Sequence, residues 1–224
     1  MNNVKVYLLT LITTAAVTAC QNDDDVSPTA VAVSSSLTNS DYLPGKKGST
    51  WIYEVYEVDT SDGSEVFLGN DTMIVSDSTI DSVNYRVYSY KFFPIQTRID
   101  RRFMRDSSGL MINQFGEIVF TTQLLDSVIR EQNFSGLIFS YKMEKDSISK
   151  TVPAGNFADI LNYKTIFSYD SILVPTLPPD LPPKRFYDKI YAKDVGLIFE
   201  TWDYISLRDK KHFERRLVSY NLIK

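Results

Sequence analysis

Apolar and polar residues alternate along most of the chain after Tyr42, and alternation at period two is the mark of strands with one buried face. Trp51, Tyr53 and Val55 alternate with Ile52, Glu54 and Tyr56. Comparable β-prone runs span Val83–Phe93, Thr97–Arg105, Glu117–Leu124, Gly136–Met143, Tyr163–Val174, Phe186–Ala192, Val195–Leu207 and Phe213–Ile223. Turn-forming clusters punctuate them at Ser61-Asp62-Gly63, Gly69-Asn70-Asp71, Asp106-Ser107-Ser108-Gly109, Gln114-Phe115-Gly116 and Asn133-Phe134-Ser135-Gly136. Turn signals every 8 to 14 residues or so predict an antiparallel meander, sandwich or barrel. Parallel βαβ units would need long helical patterns between the strands.

One run narrows the architecture. In Tyr85-Arg86-Val87-Tyr88-Ser89-Tyr90-Lys91-Phe92 the aromatics fall on both faces, so the second face must be partly covered. Helical spacing is confined to Thr122–Gln132 (Leu124, Leu125, Val128, Ile129) and Asn156–Asn162. The expected fold is mainly β: one antiparallel half-barrel or barrel-like domain with at most one or two short helices.

The N-terminus follows other rules. An apolar run from Val6 to Ala16 follows a single lysine, Lys5. It is too short for the roughly 20 residues that cross a bilayer core, and its short apolar core before small residues reads as a signal peptide. Its last residues, Val17-Thr18-Ala19, precede Cys20, the only cysteine, and Gln21-Asn22-Asp23-Asp24-Asp25 follows at once. Val17-Thr18-Ala19-Cys20 resembles a bacterial lipobox. Gln21, Asn22, Asp23, Asp24 and Asp25 resemble the acidic export signal of surface lipoproteins in the Bacteroidota. The resemblance implies cleavage after residue 19, acylation of the Cys20 thiol and residence on the outer face of the outer membrane. The membrane would then be a partner through the anchor alone. Two or more acyl chains give stable attachment where one does not.

Charge and composition set further bounds. Of 24 Lys and Arg only Lys5 lies in residues 1–19, so 23 basic residues face 28 acidic ones beyond it. Mild acidity excludes the basic footprint that nucleic acid requires. From Val26 to Asp41 the chain is small and polar, without aromatics, and cannot bury enough surface to offset ordering. Residues 20–41 are therefore expected to form a lipidated tether and 42–224 a single β-domain. A lone cysteine excludes an internal disulfide and cysteine-based zinc sites.

The sequences Gly45-x-x-Gly48-Ser49-Thr50-Trp51-Ile52-Tyr53, Val152-Pro153-Ala154-Gly155-Asn156-Phe157 and Tyr191-Ala192-Lys193-Asp194-Val195-Gly196-Leu197-Ile198 are similar to landmarks of Bacteroidota lipoproteins. Glycine and aromatic punctuation marks a fold, and the resemblance implies no activity.

Candidate chemistry is sparse. His212, the only histidine, lies in a highly charged stretch, and no G-x-S-x-G elbow accompanies it. Asp59-Thr60-Ser61-Asp62-Gly63-Ser64-Glu65 lacks the alternating carboxylates of a calcium loop and reads as a hairpin turn. Glu54, Glu57, Glu117 and Glu200 sit on strands without a pairing that would identify glycoside hydrolysis. Arg98, Arg101, Arg102 and Arg105 form a basic cluster with Asp100 and Asp106 interleaved, either a salt-bridged face or a site for acidic glycans or lipid head groups. Five prolines between Pro175 and Pro183 frame Leu177 and Leu181, a polyproline-like rim suited to line a groove. These residues imply no catalytic group, metal or cofactor. The expected function is a non-catalytic outer-membrane binding or structural module. The alternatives are a lipid carrier resembling the LolA/LolB half-barrel, or glycan capture through stacking aromatics.

Overall fold

Alternation along the chain becomes, among the described residues, fourteen strands and one four-residue helix. The computed structural model describes residues 37–91, 99–134, 136–146, 148–169, 184–203 and 210–223. Cys20, Gln21, Asn22, Asp23, Asp24, Asp25, Arg98, Leu177 and Leu181 lie outside them.

Helix α1 (Asn39–Tyr42) is followed by β1 (Thr50–Asp59), β2 (Glu65–Ile80), β3 (Val83–Lys91), β4 (Ile99–Ser107), β5 (Leu110–Ile112) and β6 (Ile118–Thr121). Then come β7 (Val128–Phe134), β8 (Leu137–Asp146), β9 (Lys150–Val152), β10 (Gly155–Phe157) and β11 (Ile160–Tyr169). Strands β12 (Lys184–Ala192), β13 (Gly196–Asp203) and β14 (Lys211–Asn221) complete the chain. Twelve strands form one sheet in the order β6-β5-β4-β3-β2-β1-β14-β13-β12-β11-β8-β7, and β9 pairs with β10 separately. All pairings between these strands are antiparallel, and the sheet curls into a nearly closed barrel. The expected mainly-β, barrel-like fold is what forms.

Closure is incomplete at the β6–β7 seam. Strand β5 pairs with Arg105–Ser107 of β4 and does not extend along Ile99–Met104. Side chains bridge part of the seam: Glu117 accepts hydrogen bonds from Arg130 and from Gln132 Nε2, the latter at 2.8 Å. Below it, Asp126 N–H donates to the Met143 carbonyl at 2.7 Å, strapping the β6–β7 connection to β8.

The lumen is layered. At the end holding the start of β1, Tyr42, Trp51, Phe120, Met143, Leu161, Ile198 and Leu217 are fully buried. Two aromatic groups of β1 find backbone partners there: Trp51 Nε1 donates to the Val195 carbonyl at 2.7 Å and Tyr53 Oη to that of Leu197 at 2.8 Å. Helix α1 plugs this end, with Tyr42 Oη donating to Asp159 at 2.9 Å and Asn39 Nδ2 to the Gly109 carbonyl at 2.8 Å. Residues 37–41, expected in the tether, are thus part of the folded body.

Three local expectations are corrected. Gly69-Asn70-Asp71 is no turn: β2 runs through it, and Val55 pairs with Gly69 while Tyr56 pairs with Phe67, so Leu68 is the extra residue of a bulge. A glycine at φ 133° supplies the kink. Thr122–Gln132 forms no helix. Its second half is β7, where pairing with β8 overrides helical spacing, as tertiary context often does. Asn156–Asn162 divides between β10 and β11 for the same reason. On β3 the two-sided aromatics are explained: Tyr88 and Tyr90 face the lumen, while Tyr85 and Val87 are buried on the outer side.

Candidate functional site: a charged belt and cavity in the lumen

Above the apolar plug, period-two geometry brings charged residues inward from strands far apart in sequence. On β14, Arg215 falls between Phe213 and Leu217, both buried. On β13, Glu200 falls between Ile198 and Trp202, and on β2 Asp71 precedes Met73 on the same face. Register then dictates contact: Arg215 pairs with Glu200, Glu200 with Lys189, and Tyr53 with Asp71.

Arg215 is the hub. Its Nη1 lies 2.8 Å from Glu200 Oε2 and its Nη2 lies 2.8 Å from Asp71 Oδ2. Nη2 also donates to the Lys91 carbonyl at 2.8 Å, and Tyr90, Trp202 and Tyr53 pack their rings within 5.5 Å of the guanidinium. Arg102 reaches Glu200 Oε1 across the lumen at 3.0 Å, from a strand separated from β13 by four others. Lys189 approaches the same oxygen at 3.3 Å. One carboxylate therefore carries three cations.

This arrangement sets the protonation states. Burial alone would raise the Glu200 carboxyl, but Arg102, Lys189 and Arg215 outweigh it and hold the group well below the usual carboxylate range. Burial pushes the Lys189 ammonium down to about 8, with repulsion from Arg102 adding to it and Glu200 opposing it. Burial also raises Tyr163 to about 12 and lifts Tyr191 well above the ordinary phenol. At neutral pH Glu200 is an ionised carboxylate among the neutral phenols of Tyr163 and Tyr191.

Next to the belt, at the lateral gap, is a cavity of about 350 Å³. Arg102, Lys189 and Arg130 bring cations to it, and Tyr141, Tyr163 and Tyr191 bring phenols. The Arg130 guanidinium stacks 3.8 Å above the Tyr141 ring, and its buried Nε has no acceptor among the described residues. Toward the other end of the same wall runs an aromatic ladder. Phe134 and Phe139 centroids are 5.8 Å apart, Phe139 and Phe167 4.9 Å, and Phe167 and Tyr169 5.3 Å.

Comparison with known proteins adds an outline only. No family model and no curated protein matches the chain. Two solved structures resemble it. One is a "putative lipoprotein" of Parabacteroides distasonis, at 14% identity and a TM-score of 0.43, over 80% of this chain and 97% of that one. The other is a "putative exported protein with YmcC-like fold" of Bacteroides fragilis, at 14% identity and a TM-score of 0.42, with the same coverage. Likeness at this level assigns no residue a role.

The basic cluster read from sequence divides across the sheet. Arg102 enters the belt, whereas Arg101 and Arg105 alternate with it on β4, Arg101 exposed but still bordering the cavity and Arg105 6.0 Å from the Tyr85 ring. Trp51 is core, while Trp202 stacks on Phe213 at 5.5 Å beside Arg215. His212 bonds Glu214 at 3.0 Å on the outer surface. Asp59–Glu65 is a turn in which Gly63 N–H donates to the Asp59 carbonyl at 2.8 Å. Lys189, Arg215 and Arg130 were not singled out from sequence. For Lys189 and Arg215 the available signal was a charge between apolar or aromatic residues two positions away on either side, Tyr187 and Tyr191, Phe213 and Leu217.

Proposed function

We propose that the chain is a lipid-anchored protein of the outer membrane, held at Cys20 and exposed at the cell surface. Its β-domain serves as a non-catalytic receptor for a small polar ligand that enters the lumen at the lateral gap. The observation that carries this reading is the cavity of about 350 Å³, at the lower end of the range for ligand sites, with cations and phenols converging on it. Glu200, held ionised by three cations, is unsuited to donate a proton, which supports binding over acid–base chemistry.

A lipid carrier needs an apolar lumen with room for acyl chains. The apolar end of this lumen is filled by Trp51, Met73, Tyr88 and Leu197, which leave about 20 Å³ between them. Burying acyl chains against Arg215 and Glu200 would strip polar groups of water without replacing it. A polar ligand is favoured.

A glycan array probed with the full chain tests the reading, with Thr165→Trp, which fills the cavity, as the control. Binding lost in the variant is expected, and a blank array for the unaltered chain would refute the receptor role. Protease shaving of intact cells tests the address: degradation is expected, and protection places the domain in the periplasm.

A further inference from the structure

The cavity and the wall above it offer two chemistries side by side. Arg102 and Lys189 crowd one oxygen of Glu200, at 3.0 and 3.3 Å, while Arg215 takes the other oxygen. Asp71 engages Arg215 and not the other two. Farther along the Lys189 wall, on β7, Arg130 gives one guanidinium nitrogen to Glu117 and keeps Nε buried without an acceptor among the described residues. A buried donor without an acceptor costs stability, so it marks a place where an acceptor is expected. Lys189, pushed down to about 8 by burial and Arg102, is likewise short of negative charge.

The second chemistry is stacking. The Phe134–Phe139–Phe167–Tyr169 ladder continues along the β7, β8 and β11 wall from the Arg130–Tyr141 pair, with successive centroids 4.9–5.8 Å apart. Phe134 is 57% exposed, so the outer rung is accessible. Aromatic faces pack against sugar rings, and guanidinium and ammonium groups hold carboxylate, sulfate or phosphate oxygens.

We infer that the lumen binds an acidic saccharide, whose carboxylate, sulfate or phosphate group sits between Arg102, Lys189 and Arg130 while its ring stacks on the aromatic ladder. The inference rests on the receptor reading above and names its ligand class. The cations approach the acid group from β4 on one side of the gap and, on the other, from β12 and β7, which belong to one wall with β11 and β8 between them. Only the acid group needs the narrow part of the cavity. The rest of the saccharide passes out through the lateral gap.

Calorimetric titration of the full chain in detergent tests it, using galacturonate, glucose 6-sulfate and glucose 6-phosphate against galactose and glucose. At least one acidic sugar should bind tenfold or more tightly than its neutral counterpart, as charge-assisted hydrogen bonds in a partly buried site imply. Lys189→Met should remove that preference and Lys189→Arg restore it, with all three proteins melting within a few degrees. Equal affinity for neutral and acidic sugars overturns the inference but leaves the receptor reading standing. Inorganic sulfate or phosphate binding more tightly than every acidic sugar overturns it by removing the ring. Retention on phosphatidylglycerol vesicles, sensitive to Lys189→Met and with no response to acidic sugars, reassigns the cavity to a lipid head group. Absence of binding to any sugar ends both readings.

Discussion

Arg102 on β4 and Glu200 on β13 meet across the barrel lumen, with Nη2 and Oε1 3.0 Å apart. Four strands separate them along the sheet, so this contact joins opposite walls instead of neighbours. The belt that Glu200 shares with Arg215, Asp71 and Lys189 is therefore a cross-brace, and its members Arg102 and Lys189 also line the cavity. Burying the belt is expensive unless every charge is matched, and removing Arg215, the member that holds both carboxylates, exposes that expense.

Arg215→Met tests the brace most directly. The side chain is 2% exposed, and its loss leaves Asp71 buried without this cation and takes one of three cations from Glu200. Destabilisation of about 3–5 kcal/mol is expected in urea unfolding. Arg216→Met is the control. Arg216 pairs with Glu65 and Glu214 on the outer face, and such surface pairs contribute at most about 1 kcal/mol. Similar losses for the two variants would refute the hub role of Arg215.

Acid should dissolve the brace from its carboxylate side. The Glu200 carboxyl is depressed in the folded chain, so its contribution is fully present above the unfolded carboxylate value of about 4.3. It is lost progressively as pH falls below that value toward the folded one. Glu200→Gln should be clearly destabilised at pH 7, and its deficit should shrink in urea melts at pH 4 and again at pH 3. A deficit that stays constant with pH would mean that Glu200 acts through packing alone.

The barrel was legible in the sequence because its strands are amphipathic and its turns carry Gly, Asn and Asp. Trp51, Tyr53 and Val55 declare an inward face without any tertiary information. The belt was hidden by the same rule. A charge at an inward position looks like a break in the pattern until the partner strand is known, and Arg215, Glu200 and Asp71 find one another at separations of 15 and more residues. The basic cluster on β4 shows the converse. Four arginines close in sequence imply one patch, yet period-two geometry sends Arg102 inward, with Arg101 and Arg105 alternating with it. Helical spacing in Thr122–Gln132 misled because the free edge of β8 offered backbone partners worth more than local propensity.

The apolar plug depends on a close backbone approach at Gly45. A Cβ there would lie 2.9 Å from both Trp51 Cη2 and Ser49 Cβ, and the residue holds φ at 97°. Gly63, at φ 74° in the β1–β2 turn, has open space around it. Left-handed backbone costs a non-glycine residue about 1–2 kcal/mol, and overpacking adds about 1–3 more. Gly45→Ala should therefore be the more destabilised of the two in thermal melts, by several degrees. Equal melting temperatures would show that the Trp51 end has slack.

Lys189 yields a prediction of the same sign as that for Glu200, in an alkaline window instead of an acid one. Its folded ammonium titrates near 8, against about 10.4 in an unfolded chain. Below pH 8 both states hold the proton and stability is flat with respect to this group. Between 8 and 10.4 the unfolded chain keeps a proton that the folded chain has released, so stability rises with pH. The slope cannot exceed about 1.4 kcal/mol per pH unit for a single group, giving a gain of about 2 kcal/mol from pH 7 to 9.5. Tyr163 and Tyr191 titrate later in the folded chain and bring the reverse trend only near pH 10 and above. Urea unfolding of the native chain and Lys189→Met across pH 7–9.5 isolates the effect. The native chain should gain on the variant over that interval, and parallel curves would show that Lys189 keeps an ordinary lysine proton inside the barrel. Saturating acidic sugar adds a further signature. An anion against the ammonium favours the charged form, so the rise should move to higher pH in its presence.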